Sequence, residues 1–231
     1  MTFPMPCMAG FVSSSPPPVP VTYIGHSAGA VSAGSYTYAS APLSAPAADR
    51  LVVVVHVTES IGNNATSAMA VGATGLSLWS PGRIQLFTSV VSYLEIWYGI
   101  VASGATPNIV ATTTSTNSSM DVYCLSGLSA TPVDQVSKTA TTSTTCAIND
   151  VETKVGGALI AAIAAQNASV TFTEGWSGAG SVVEDSDVNL STNVRVGAAH
   201  IATTAATTTD DFTFTLSASK TFVGGAISFG P

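Results

Sequence analysis

Along most of the chain every second residue is apolar, turn residues break the pattern at short intervals, and helical spacing is almost absent. Residues 21–24 and 35–38 read as short strands. Residues 50–58, Arg-Leu-Val-Val-Val-Val-His-Val-Thr, are the strongest strand signal. A β-branched run of this kind belongs at the centre of a sheet, so Val53 and Val55 are expected to be buried. Gly62, Asn63 and Asn64 mark a turn. Residues 67–71 and 75–79 suggest a hairpin through 72–75. A long strand over 93–102 places Leu94, Ile96, Tyr98 and Ile100 on one face, and 108–113 and 120–126 flank a turn at 115–119. The segment 156–165 is ambiguous, because its alanines favour helix. Its Gly-Gly start and short length make it a buried strand. Segments 169–173, 193–204, 211–217 and 221–229 complete the set. In 211–217, Phe212, Phe214 and Leu216 point inward and the intervening threonines outward.

Ten or more strands with no room for crossover helices predict an all-β antiparallel sandwich. The first 18 residues differ: they are punctuated by proline and end in Ser-Ser-Ser-Pro-Pro-Pro, which predicts an extended arm. The expected organisation is an arm over 1–18 and a single sandwich domain over 19–231.

Composition sharpens this picture. Only 6 basic and 13 acidic residues occur among 231, so 8% of the chain is charged, against about 25% in an average domain. Thirty serines and thirty threonines supply the polarity instead. A net charge of −7 with scattered cations leaves no basic stripe, which argues against nucleic acid as a partner. The longest apolar run, residues 155–165, is too short for a membrane helix, which needs about 20 residues, so no membrane insertion is expected. The N-terminus lacks the charged and apolar regions of a signal peptide. Cys7, Cys124 and Cys146 do not make a disulfide framework; Cys124 and Cys146 either pair in space or serve as small buried hydrophobes.

Candidate chemistry is sparse. Gly25-His26-Ser27-Ala28-Gly29 matches the G-x-S-x-G nucleophile elbow, and Asp187 and His200 follow in hydrolase order. An elbow needs a helix after it, whereas Gly34 and the alternating Ser-Tyr-Thr-Tyr follow here, so a plain turn is expected and the hydrolase is a remote alternative. His26, His56 and His200 have no metal-ligand spacing. Glu184, Asp185 and Asp187 offer oxygens to an ion in a loop but lack an EF-hand's length and glycine, so solvated charge is the expectation. Trp176, flanked by glycines, is the one aromatic placed for contact with a ligand, for which a sugar is the natural class. The sequence therefore predicts no catalytic residue, no cofactor and no metal ligand.

Several elements occur together in a recognisable layout. Gly34-Ser-Tyr-Thr-Tyr38 is followed by Ala48-Asp49-Arg50 and its hydrophobic run, and by Glu95-Ile-Trp-Tyr-Gly99. Tyr123-Cys-Leu-Ser-Gly127-Leu128 comes next, and residues 221–229 close the chain in a Thr-x-Phe-x-Gly-Gly-Ala pattern. From about residue 20 onward this layout resembles small virion structural proteins of tailed bacteriophages, the marine ones especially. The resemblance implies a jelly-roll-like domain on the virion, assembled in the host cytoplasm, with capsid or tail subunits as partners. The expected function is a non-enzymatic head decoration, cement, spike or fibre-base subunit, forming a homo-oligomer. Tail or baseplate placement, and a carbohydrate-binding module that meets a host-surface glycan, are the alternatives. Phe3, Met5, Met8, Phe11 and Val12, apolar residues of an uncharged arm, are the expected attachment interface.

Overall fold

A computed structural model describes residues 21–62 and 65–231. The predicted arm over 1–18, with Phe3, Met5, Met8, Phe11 and Val12, lies outside the described residues, as do Cys7 and Asn63–Asn64 of the predicted turn. The strands in chain order are β1 (Val21–Ala30), β2 (Ser35–Tyr38), β3 (Leu51–Ile61), β4 (Ala68–Val71), β5 (Thr74–Gly75) and β6 (Ser77–Phe87). Then come β7 (Val90–Ile100), β8 (Ile109–Thr112), β9 (Asn117–Leu125), β10 (Pro132–Thr153) and β11 (Ala158–Gln166). The last four are β12 (Phe172–Trp176), β13 (Val183–Asn189), β14 (Val194–Ala202) and β15 (Thr207–Phe229). No helix occurs among the described residues.

All ladders between these strands are antiparallel, and they build three sheets. The central sheet runs β1-β9-β3-β7-β6. The large sheet runs β10-β15-β11-β14-β13, with β12 also paired to β15. The small sheet runs β2-β8-β4-β5.

Strand alternation explains the layering. Leu51, Val53, Val55 and Val57 of β3 join Ile160, Ala162 and Ala164 of β11 in a core between the central and large sheets. Val52 and Val54, on the other face of β3, pack with Trp97, Met120 and Val122 against Tyr36, Met69, Ile109 and Ala111 of the small sheet. This is why the run reads as continuous valine: β3 is central and covered on both faces. The far face of β11 (Leu159, Ala161, Ile163) builds a third core with Cys146, Ile148, Phe212, Phe214 and Phe222. Residues 222–229 of β15 pair with β11, while residues 212–216 pair with β12. The β10–β15 ladder follows both halves and breaks register between Ala140 and Thr145. At Gly224 and Gly225 the neighbours approach closely from both sides. An added Cβ would stand 2.4 Å from Cys146 Sγ in the first case and 2.5 Å from Pro81 Cγ in the second.

Several expectations change here. Segments 211–217 and 221–229 are one strand. The 67–79 hairpin is half right: β4 pairs β5, but residues from Ser77 onward cross to the central sheet and pair β7. Residues 183–189 are a strand rather than a loop, and β10, rich in threonine and serine, was not expected at all. Segment 156–165 is indeed a strand, since β11 lies between β15 and β14 and its alanines let three layers stack. Cys124 and Cys146 are unpaired and buried in different cores.

The Ala-Asp-Arg element has a structural role. Arg50 is buried and gives its guanidinium to backbone carbonyls: Val101 O at 2.8 Å, Ser103 O and Gly104 O at 2.7 Å, and Ser44 O. Asp49 Oδ2 accepts from Gly127 N–H at 2.9 Å. The pair ties three loops to the start of β3, with carbonyls sharing the buried charge in place of a counter-ion.

Candidate functional site

The G-x-S-x-G pentapeptide lies inside β1, paired along its length with β9. Adjacent side chains point to opposite faces. Ser27 therefore faces the small sheet, its Oγ 2.7 Å from Tyr36 OH, while His26 faces the large sheet and Asp121. His200 stands on the large-sheet side, bound to Asp185, and Asp187 is held by Arg195 Nε at 2.5 Å. Ser27, His200 and Asp187 thus have separate partners and form no relay. The same contacts account for the acidic group: Asp185 is held by His200 and Asp187 by Arg195, and Glu184 is exposed on β13. Among the described residues no group of three or more His, Cys, Asp or Glu is arranged to hold a metal ion.

A different Ser-His-acid set does assemble, one that the sequence reading did not name. His56 on β3 lies between Glu95 on β7, its in-register neighbour, and Ser118 on β9. His56 Nδ1 is 3.2 Å from Glu95 Oε2, and Nε2 is 2.5 Å from Ser118 Oγ. Thr66 N–H donates to Glu95 Oε1 at 3.0 Å, Thr66 Oγ1 lies 3.1 Å from His56 Nδ1, and Trp97 Nε1 donates to Glu95 Oε2 at 3.4 Å. Burial alone would raise the Glu95 carboxyl, but the His56 and Thr66 hydrogen bonds hold it below the usual carboxylate range. In the His56 tautomer with Nδ1–H toward Glu95, Nε2 accepts a hydrogen bond from Ser118 Oγ–H, the polarity of a nucleophile relay.

Access decides what this set can do. His56 and Ser118 are 0% exposed and Glu95 1%. A substrate carbonyl has no way to reach Ser118 Oγ, so in this conformation the set joins three strands and the segment before β4 as a buried polar network. The signal was available in sequence: His56 interrupts valines and Glu95 sits between Leu94 and Ile96. Pairing register, which periodicity does not give, is what brings them together.

A second polar cluster lies in the seam between the central and large sheets. Tyr23 OH donates to Asp121 Oδ1 at 2.8 Å, and His26 Nδ1 stands 3.0 Å from the same oxygen. Across the seam His200 Nδ1 lies 2.8 Å from Asp185 Oδ2. The Tyr123 ring meets both sides, 5.4 Å from Tyr23 and 6.1 Å from His200. Burial, then the Asp121 charge, raises the Tyr23 hydroxyl; burial raises Asp185 despite the His200 contact. The cluster can pin two sheet edges together.

Trp176 ends β12 rather than standing on a loop. Its half-buried ring leans on Phe212 at 6.5 Å, and its Nε1 is buried without a hydrogen-bond partner. It packs on the third core. On the same strand, Glu174 has Oε1 buried and unpartnered, and burial with the Glu184 charge pushes its carboxyl up to about 7.

Compared with known proteins, the chain matches no family model, no curated protein and no solved structure.

Proposed function

We propose that this protein is a non-enzymatic structural subunit of a tailed-bacteriophage particle, a jelly-roll-like sandwich mounted on the head as a decoration, spike or fibre-base element. The observation that carries the reading is the edge of the large sheet. Strand β10 runs 22 residues and, among the described residues, pairs only with β15. Its stretch from Ser137 to Thr145 is mostly exposed threonine and serine, with Lys138 as the sole charge. An unpaired edge of backbone N–H and C=O groups is a template for a further strand, and natural edges are usually blunted by charge or proline. Apart from Lys138 and the break in register after Ala140, this edge carries hydroxyls, which can enter a contact without the desolvation cost of ions. The occupant that fits is a second copy of the chain, meeting edge to edge about a two-fold axis.

The phage context comes from the resemblance of the sequence layout, and the uncharged arm supplies a means of attachment. Five apolar side chains buried at roughly 1.5 kcal/mol or more each give a gross gain of about 8 kcal/mol, before the cost of ordering the arm.

The test is particle composition. Mass spectrometry of purified phage encoding this chain should find it in many copies per particle, and deletion of residues 1–18 should give a folded protein that no longer joins. Absence from purified particles would overturn the reading. Full occupancy by the truncated protein would move attachment from the arm to the sandwich.

A further inference from the structure

We infer that one end of the sandwich carries a binding cleft for a neutral saccharide, separate from the β10 edge and from Trp176. The site begins at Glu59, near the end of β3, which is 5% exposed and faces the large sheet. Its Oε2 accepts from Asn117 Nδ2 at 2.8 Å and its Oε1 from Asn193 Nδ2 at 2.9 Å. A carboxylate only accepts hydrogen bonds, so both amides must turn their nitrogens toward it. Their orientation is thereby fixed without reference to anything bound. Among the described residues neither Oδ1 has a hydrogen-bond partner, and neither atom is among the buried unsatisfied ones. Each amide also keeps a second N–H. Two rigidly held amides therefore each present a donor beside an acceptor.

The surroundings fit that presentation. Glu59, Asn117 and Asn193 line a cleft of about 270 Å³ together with Ile61. Thr192 and Asn193 also line an adjoining cleft of about 300 Å³, whose far side is Phe87 with Gln166. Ile61 is 68% exposed and Phe87 52%; both are large apolar side chains left in water at the same end. The only formal charges on the walls are the amide-covered Glu59 and Lys220. Paired donors and acceptors suit vicinal hydroxyls, an exposed ring suits the C–H face of a pyranose, and low charge disfavours phosphate or a polyanion. The two clefts share Thr192 and Asn193, and two adjoining clefts of this volume suit an oligosaccharide better than a single sugar.

The glutamate, the amides and the turn before β14 also tie the two sheets together, and a tie alone would need neither exposed apolar wall. Saturation-transfer NMR on the full chain with maltotetraose, cellotetraose and chitotetraose separates the two roles. At least one of these should receive saturation. Phe87→Ala, an exposed position, should leave the melting temperature unchanged and weaken that binding by about tenfold, the loss expected for one stacked aromatic contact. Trp176→Ala should leave the binding in place. No transfer to any of the three oligosaccharides, or transfer that Phe87→Ala leaves intact, would overturn the inference.

Discussion

Strands β3 and β10 use the same extended backbone under opposite conditions. Strand β3 is central, with ten of its eleven residues buried, and nearly every side chain contributes to one of two cores. Strand β10 is an edge twice as long, with most of its side chains in solvent until Cys146. Burial specifies the first: a one-residue slip would exchange the valine sets facing the two cores and misplace His56 against Glu95 and Ser118. Pairing specifies the second, which follows β15 through several register breaks and is rich in the threonine that tolerates extended geometry. The folding information of β10 therefore lies largely in its partner. Among the described residues its outer edge pairs with no other strand.

The largest effect should come from breaking β3. Val53→Asp places a carboxylate in the core between the central and large sheets, at a cost of several kcal/mol, and should abolish soluble expression. Normal folding of that variant would mean that β3 does not organise the fold.

Next in size is the polar network inside the same strand. His56→Ala leaves Glu95 buried without its imidazole, with only Thr66 and Trp97 donating to it, and should cost about 1–3 kcal/mol in chemical denaturation. The folded Glu95 pKa lies below the ordinary value, so its contribution is present above the unfolded carboxyl range and is lost as pH falls through the folded pKa. The His56→Ala penalty, measured from pH 7 downward, should shrink on the acid side.

That comparison also shows what sequence could reveal. The continuous β-branched run of β3 marked a strand covered on both faces, and the alternation of Phe212, Phe214 and Leu216 with threonine marked an inward face, because burial on one side of a pleated strand imposes a period of two. Strand β10 escaped because a threonine-rich edge has no apolar face over its first half, and β13 escaped because Asp185 and Asp187 look like a charged loop until Arg195 and His200 are placed opposite. The Ser118 relay and the Glu59 bridge each join residues more than 50 positions apart, so no local spacing could disclose them. The plain turn expected at Gly25–Gly29 is instead the middle of β1, because pairing with β9 carries a glycine-rich segment as strand.

A smaller effect contrasts two carboxylates. Glu95 is lowered by its partners, whereas Glu174 on β12 is raised to about 7 by burial and by Glu184. A raised acid contributes stability that is fully present below its unfolded pKa of about 4.3 and is lost as pH climbs to about 7. Glu174→Gln should therefore melt higher than the parent at pH 8, and the gap should close by pH 4. An equal gap at both values would mean that Glu174 is well solvated.

The smallest effect on stability should accompany the largest effect on assembly, at β10. Thr139, Thr141 and Thr144 are exposed, so replacing all three with lysine should change unfolding by no more than about 0.5 kcal/mol per site. The same charges blunt the edge. Sedimentation velocity on the purified chain and this triple variant tests whether the sandwich is a building block joined through its β10 edge. An edge-joined building block gives an oligomer for the parent and a monomer of unchanged melting temperature for the variant. A parent that stays monomeric at all concentrations, or an oligomer indifferent to the three lysines, would contradict it.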